Sequence, residues 1–413
     1  MKHQLVIVRL IFGLLFIFSG FVKIIDPVGT GLVIQEYLNV VHLDFLSFAR
    51  VVIGVALSLL EFMVGVAILM RMRMRVAASI GLWMTVFFTI TTLLLLIFDP
   101  IQDCGCFGEA ASLTHGETFF KNLVLLGCII PIYIKRNNFR RASSVFAEWM
   151  FISIYGVIVL SLSIVSYVRM PVIEFTDFKM GADIASQMVD SVDNGDFNTV
   201  FVYEKDGERR EFSIDELPDT TWTYVESVDM SMERDDLPFE FHVTNAHGEY
   251  ITDTLITVDK PLVICSIYDI DRFYTPKRWM AVNMLKERVE SQGGELWLLV
   301  ATTPEHLQEV LGADVMERFE VGYTDYKTAI AVQRSNGGYL YINNAFIVKK
   351  WSRQGLQADA DLSVISQDFD KVMIRDIIKQ QLIYEISIVV LFLSIIAIRY
   401  LCKVVAIRRL KSL

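Results

Sequence analysis

Residues 51–70 read VVIGVALSLLEFMVGVAILM, twenty positions that hold one ionisable side chain, Glu61. About 20 apolar residues suffice to cross a membrane, because the hydrocarbon core is roughly 30 Å thick and a helix rises about 1.5 Å per residue. This stretch therefore reads as a transmembrane helix, and comparable runs lie on either side of it. Leu5 to Ile25 carries Arg9 and Lys23 only near its ends, where long side chains can snorkel. Val76 to Phe98 and Trp149 to Val168 are free of interior charge, Phe119 to Ile134 is shorter and includes Lys121, and Leu382 to Leu401 has Glu385 and Arg399 near its ends. The first run ends Phe18-Ser19-Gly20-Phe21-Val22-Lys23, without an Ala-x-Ala-like cleavage site, and is read as retained. A hydrophobic content of 53% agrees with a chain that partly faces lipid.

Charge is unevenly distributed. Residues 171–381 hold 38 Asp and Glu against 20 Lys and Arg, whereas the remainder holds 10 against 18. So acidic a block would be repelled by phosphate backbones, which excludes nucleic acid as an expected partner and leaves membrane lipid. Cytoplasmic loops are enriched in Lys and Arg. Lys2, Arg9, Arg71, Arg73, Arg75, Lys135, Arg136, Arg140, Arg141, Arg399, Lys403, Arg408, Arg409 and Lys411 fall on one side of the six runs, and only Lys23, Arg50 and Lys121 border the opposite short loops. The charges predict both termini inside, with the loops at 26–50 and 99–118 and the block 171–381 outside.

Within that block, residues 171–258 read as a β-rich lead-in. A hairpin is expected over Thr199 to Phe212 around Asp206-Gly207, a pair suited to a type I′ turn, and a second short pair over Phe239 to Val243 and Tyr250 to Asp253. From Pro261 the pattern sharpens. Pro261 to Ile267 is a buried-strand run, and Thr275-Pro276 caps a helix reaching about Ser291. Glu295 to Ala301 is the next strand, and Thr303-Pro304 repeats the capping signal. Gly338 to Ile342 and Ala345 to Trp351 form a terminal hairpin, followed by an amphipathic helix over Asp359 to Gln380 that enters the last run. That order, with 259–380 as the unit, is the order of a thioredoxin fold.

The hexapeptide Asp103-Cys104-Gly105-Cys106-Phe107-Gly108 carries the most chemistry. Cysteines two apart can close a disulfide if the backbone bends, and Gly105 permits the bend. So small a ring gains little from loop closure and should be strained, hence relatively oxidising. The alternative is two free thiols in a loop. A zinc site through His115 and Asp103 or Glu109 lacks a fourth Cys or His, so no metal is expected. Cys265 lies inside the first thioredoxin-like strand, where a thiol is commonly a small hydrophobe. The turn at which a working thioredoxin carries Cys-x-x-Cys reads Asp269-Ile270-Asp271-Arg272-Phe273-Tyr274, and Gly337 stands where thioredoxins keep a cis-proline. Cys128, about 10 Å inside the fourth run, and Cys402 at the inner membrane edge are read as packing residues. Glu61 in mid-span costs at least ~2.5 kcal/mol to place in lipid if ionised, which makes it a functional candidate by default; a helix-to-helix hydrogen bond is the other account. Lys23, followed by Asp26-Pro27, and Lys121 could hold an anion or a quinone head group, or merely snorkel.

The segments Phe16-Ile17-Phe18-Ser19-Gly20-Phe21-Val22-Lys23-Ile24-Ile25-Asp26-Pro27, Leu60-Glu61-Phe62-Met63-Val64-Gly65, Cys104-Gly105-Cys106-Phe107-Gly108 and Lys121-Asn122-Leu123 resemble the DoxX and MauE-like redox-associated membrane proteins over residues 1–135. The resemblance implies a four-helix membrane unit associated with quinone-linked oxidation or with disulfide handling for exported partners. It also implies the inner (cytoplasmic) membrane of a bacterium, with residues 171–381 in the periplasm, and the long form in which a fifth helix over 149–168, a cysteine-poor thioredoxin-like domain and a C-terminal helix over 382–401 follow. The expectation is thus a polytopic α-helical bundle of about five N-terminal spans plus one C-terminal span, bearing an extracytoplasmic α/β thioredoxin-like domain. Two functions remain open. One is a quinone-linked thiol-disulfide oxidoreductase with Cys104 and Cys106 as the reactive pair, Glu61, Lys23 and Lys121 at the quinone, and an exported or membrane protein as partner. The other is a non-enzymatic assembly or chaperone-like subunit whose degenerate domain binds a protein.

Overall fold

The computed structural model describes residues 2–98, 101, 105–111, 113–139, 144–188, 199–205, 208–212, 223–229, 241–258, 260–355 and 362–411. The membrane part is built from α1 (Lys2–Ile25), α2 (Pro27–Val40), a 3-10 turn (Asp44–Ala49), α3 (Arg50–Met70), α4 (Met74–Phe98), the short strand β1 (Cys106–Glu109), α5 (His115–Ile134) and α6 (Val145–Val168). Five of its helical stretches are long and apolar enough to cross a membrane: His3–Ile25, Asp44–Met70, Met74–Phe98, His115–Ile134 and Val145–Val168. Their outward faces expose Trp83, Phe87, Ile97, Phe98 and Val157. In water such a shell would drive aggregation; in lipid it costs nothing.

Glycines set the closest helix contact. A Cβ at Gly20 of α1 would lie 2.6 Å from the backbone nitrogen of Phe62 in α3, and one at Gly65 of α3 would lie 2.8 Å from the nitrogen of Ile17. Small residues at these crossings let the two backbones approach, which substitutes for a hydrophobic driving force that lipid does not supply. The sequence reading did not foresee α2. Asp26 caps it by accepting from the Gly29 amide at 2.9 Å, and Pro27 is its first residue. Its 14 residues reach about 21 Å, too short for a span, and Gly31 lets it lie against Val51 at the start of α3.

Three antiparallel strands, β2 (Thr199–Lys205), β3 (Glu208–Phe212) and β4 (Thr223–Asp229), form a sheet ordered β3-β2-β4. The expected hairpin is its first two strands; its turn residues Asp206 and Gly207 lie outside the described residues. Of the second expected pair, Phe239 and Glu240 lie outside the described residues; among those described it reduces to one bridge between Thr244 and Tyr250, followed by a helical turn, α7 (Thr252–Ile256). The Thr252 hydroxyl explains the difference: it accepts from the Val243 amide at 2.9 Å and donates to the Phe241 carbonyl at 3.1 Å, folding the chain back instead of extending it.

An α/β domain follows: β5 (Leu262–Ile267), α8 (Ile270–Phe273), α9 (Pro276–Ser291), β6 (Glu295–Val300), α10 (Pro304–Leu311), α11 (Val315–Arg318), β7 (Glu320–Tyr323), α12 (Tyr326–Val332), β8 (Gly338–Asn343) and β9 (Phe346–Trp351). The mixed sheet is ordered β7-β6-β5-β8-β9, with β5, β6 and β7 parallel and β8 antiparallel to both β5 and β9. Side chains of β5 alternate between two cores, as expected of a strand buried on both faces. Val263, Cys265 and Ile267 meet Val282, Leu285 and Val289 of α9 on one face, while Leu262 and Ile264 meet Phe178, Ile184, Phe241, Val243 and Leu255 on the other. Residues before β5 thereby supply the second layer. They also cover both sheet edges: Gly181 and Ile184 donate to the Ile347 and Ala345 carbonyls beside β9, and Thr244 pairs with Tyr323 of β7.

The last helix, α13 (Phe369–Lys411), runs unbroken for 43 residues. Its start packs on the domain through Val372, and farther along Ile395 and Cys402 join Ala147, Phe151 and Tyr155 of α6, so the apolar run 382–401 lies against the bundle.

Candidate functional site

Polar side chains converge where α1, α3 and α5 meet the strand β1. Lys23 and Ser19 lie four residues apart on α1, hence on one face. The Lys23 ammonium donates to a Glu61 carboxylate oxygen at 2.9 Å and to the Ser19 hydroxyl at 3.2 Å, and that hydroxyl donates to the Cys106 carbonyl at 2.7 Å. Both members of the ion pair are buried, with side chains 12% and 4% exposed. Glu61 is therefore compensated inside the bundle and does not face lipid. Lys121 takes a different role from Lys23: its ammonium stands 4.3 Å from the ring centroid of Phe107, which also meets Phe18 edge-on at 5.3 Å. One turn of α5 thus holds Lys121 against the cysteine loop, and its neighbour Asn122 donates to the Thr92 hydroxyl of α4 at 3.1 Å.

The loop itself bends as Gly105 implied, with φ of +61° at Gly105 and +54° at Gly108. A Cβ at Gly105 would lie 2.5 Å from Val33 of α2, so any other residue would push the loop away. Cys106 is half-buried there. Cys104 and Asp103 lie outside the described residues.

Two cavities border this loop. One, of about 680 Å³, lies within the bundle; its wall is mostly apolar, from Phe16, Leu57, Phe88 and Leu125, and includes Lys23, Glu61, Lys121 and Asn122. Exposed Ile90 and Leu94 of α4, Val40 of α2 and the following Val41 lie at its lipid-facing side. The other, of about 540 Å³, lies between α2, the loop and the α/β domain, with Asp26, Glu36, Asp177, Lys327 and Arg334 in its wall. Three contacts join the domain to the bundle around it. Arg334, almost wholly buried, donates through Nε to the Asp26 carboxylate at 3.0 Å and brings Nη2 within 2.9 Å of the same oxygen as an ion pair; Lys327 pairs with Glu36; and Arg50 donates to the Tyr326 hydroxyl. A Cβ at Gly29 would lie 3.0 Å from the Arg334 guanidinium, so glycine is required for the clamp.

The remaining cysteines are packing residues. Cys128 is buried among Phe12, Ala77 and Ile129, and Cys402 beside Phe151. Cys265 is fully buried in β5 opposite Tyr339, and burial pushes its thiol up to about 12. At the turn after β5, Asp269 caps α8, Asn336 bridges its backbone in both directions, and Phe273 is buried against Gly337, where any Cβ would overlap the Phe273 ring. An aromatic side chain fills this turn.

Sequence reasoning missed Ser19, Asn122 and Arg334. Ser19 was legible as a hydroxyl one turn before Lys23; Arg334 had no signal, since its partner is some 300 positions away.

Fold and site together define a class: a polytopic membrane protein whose bundle encloses a buried ion pair and a cavity, with an α/β domain docked over a cysteine loop at one end. Residues 1–134 match the family model described as methylamine utilisation protein MauE, so the membrane part of the chain is similar to that family. Residues 197–233, around the three-stranded sheet, match a domain of unknown function, DUF8463. No curated protein and no solved structure matches the chain.

Proposed function

We propose that the protein is a membrane thiol-disulfide redox protein of the bacterial inner membrane, in which Cys104 and Cys106 form a reversible pair. The observation that carries this reading is the position of Cys106: it borders a mostly apolar cavity whose polar groups include a buried Lys23–Glu61 pair, Asn122 and Lys121. A cavity of about 680 Å³ with few polar groups has the size and character of a small-molecule site, and a lipid-facing side suits a lipophilic ligand. A quinone fits these residues, with Lys23, Lys121 and Asn122 as the groups that would hold its polar end. Bound there, it would supply a two-electron, two-proton exchange partner for the cysteine pair. Ser19 fixes the loop by holding the Cys106 carbonyl, and Phe18 and Lys121 fix Phe107 beside it.

In this reading the α/β domain is thioredoxin-like, supported by the strand order β6-β5-β8-β9 with its parallel pair and antiparallel hairpin. It positions a periplasmic protein partner and does no thiol exchange of its own. The Phe273-filled turn favours the second reading, an assembly subunit with no redox step.

The test is non-reducing electrophoresis of cells carrying Cys104→Ser, with the double Cys104→Ser and Cys106→Ser variant as control. Removing one thiol leaves a mixed disulfide unresolved, so adducts through Cys106 are expected in the single variant only. Complete alkylation of both cysteines in the wild type, with no adducts in either variant, would replace the redox reading with the assembly reading.

A further inference from the structure

The two cavities share Thr30, Val33, Gly105 and Cys106 in their walls. Cys106 therefore stands in a thin partition with an apolar, lipid-side space on one face and a polar space on the other. The polar space opens between exposed Ala111, Asp177 and Lys327, and the α/β domain forms its far wall through Thr328, Ala331 and Arg334. Its volume of about 540 Å³ admits a cysteine with its flanking groups but not a folded domain.

We propose that this interdomain cavity is the port through which water-soluble, cysteine-bearing peptides or small thiols reach Cys106, the docked α/β domain serving as its wall. The inference rests on the redox reading for its use, but not for its test. The step it serves is thiol-disulfide exchange: an incoming thiolate sulfur bonds to one sulfur of the Cys104–Cys106 disulfide as that S–S bond breaks and the other cysteine leaves as thiolate. A second thiolate, on the same molecule or on a second thiol, then attacks the incoming sulfur; the mixed disulfide breaks and the remaining protein cysteine leaves as thiolate, so the thiols lose two electrons that the pair gains. The reverse sequence follows the same path. Asp26 and Glu36 are matched by Arg334 and Lys327, and Asp177 at the mouth lies in the field of Lys179, so the charges of the port are close to balanced and it admits thiols of either charge.

The experiment follows chemical modification of Cys106 in the full chain carrying Cys104→Ser, in membranes, where Cys128, Cys265 and Cys402 are buried. A charged methanethiosulfonate reports entry from water, and a long-chain N-alkyl maleimide reports entry from lipid. Ala111→Trp and Ala331→Trp narrow the port from opposite sides, and Ala111 is exposed enough that its substitution leaves the fold intact. Each should slow the charged reagent by roughly tenfold or more and leave the lipophilic one unchanged. Leu94→Trp should do the converse. Unchanged charged-reagent rates in both port variants, equal slowing of both reagents, or no reaction with the charged reagent at all would overturn the port. Because none of these rates requires redox turnover, a failed port with cellular mixed disulfides intact refutes this inference alone.

Discussion

Lys23 and Glu61 decide more than any other pair what the bundle can do. Removing one partner of a buried ion pair strands the other, at a cost of about 3–5 kcal/mol, whereas replacing both by apolar residues of similar volume is often neutral. Glu61→Ala should therefore lower the thermal unfolding midpoint in detergent markedly, and Lys23→Met with Glu61→Leu should restore it. If the pair exists only to hold helices together, the double variant also keeps Cys106 cycling; in the redox reading it is stable and inactive. A double variant as unstable as Glu61→Ala would show that packing, not charge compensation, governs the site. Cys265 gives a second residue-level expectation. With its thiol held at about 12, a thiolate fraction of only about 10⁻⁴ remains at pH 8, and the side chain is fully buried. Iodoacetamide should label it only after denaturation, and native labelling at the rate of an exposed thiol would mean that β5 opens.

At the level of elements, the α1–α3 crossing depends on glycine and the lipid-facing surface does not. Gly20→Ala drives a methyl into the Phe62 backbone, an overpacking that typically costs 1–3 kcal/mol, while a Cβ on Gly127 of α5 would meet nothing within 4 Å, so Gly127→Ala should leave stability unchanged or slightly higher. Equal melting temperatures for the two variants would remove the close crossing from the account. These contacts also explain what sequence could convey. Spans, strands and capped helices were legible because each announces itself locally: apolar length for α3, Thr275-Pro276 for α9, the buried run for β5. Helix α2 was not, because Asp26-Pro27 signals a start while the following residues lack the length of a span or a clear polar face. Strand β7 is four residues long and gains its place only by pairing with β6 and Thr244. In the site, the bend at Gly105 and the ionisable groups Glu61 and Lys23 were visible, but not that they join, since the separation of 38 positions between them and of 87 between Ser19 and Cys106 is closed only by helix packing.

Across the whole molecule, one end carries α2, the cysteine loop and the α/β domain, clamped by Asp26–Arg334, Glu36–Lys327 and Arg50–Tyr326. Arg71 to Arg75, at the α3–α4 turn, and Lys135 and Arg136, after α5, belong to the other end. These contacts make orientation a single variable, for if the domain is outside, the cysteine loop must be outside with it. The charge distribution predicts that outcome: by sequence, fourteen boundary Lys and Arg belong to the side of the spans opposite the domain, against Lys23, Arg50 and Lys121 on its side. Moreover, Lys23 and Lys121 are engaged by Glu61 and Phe107, which weakens them further as retention signals. A reporter enzyme active only outside the cytoplasm, fused after Gly355, should therefore be active, and one fused after Arg136 should be silent. Activity after Arg136 with silence after Gly355 would invert the whole molecule, place Cys106 on the reducing cytoplasmic side, and remove the compartment in which a strained disulfide could persist.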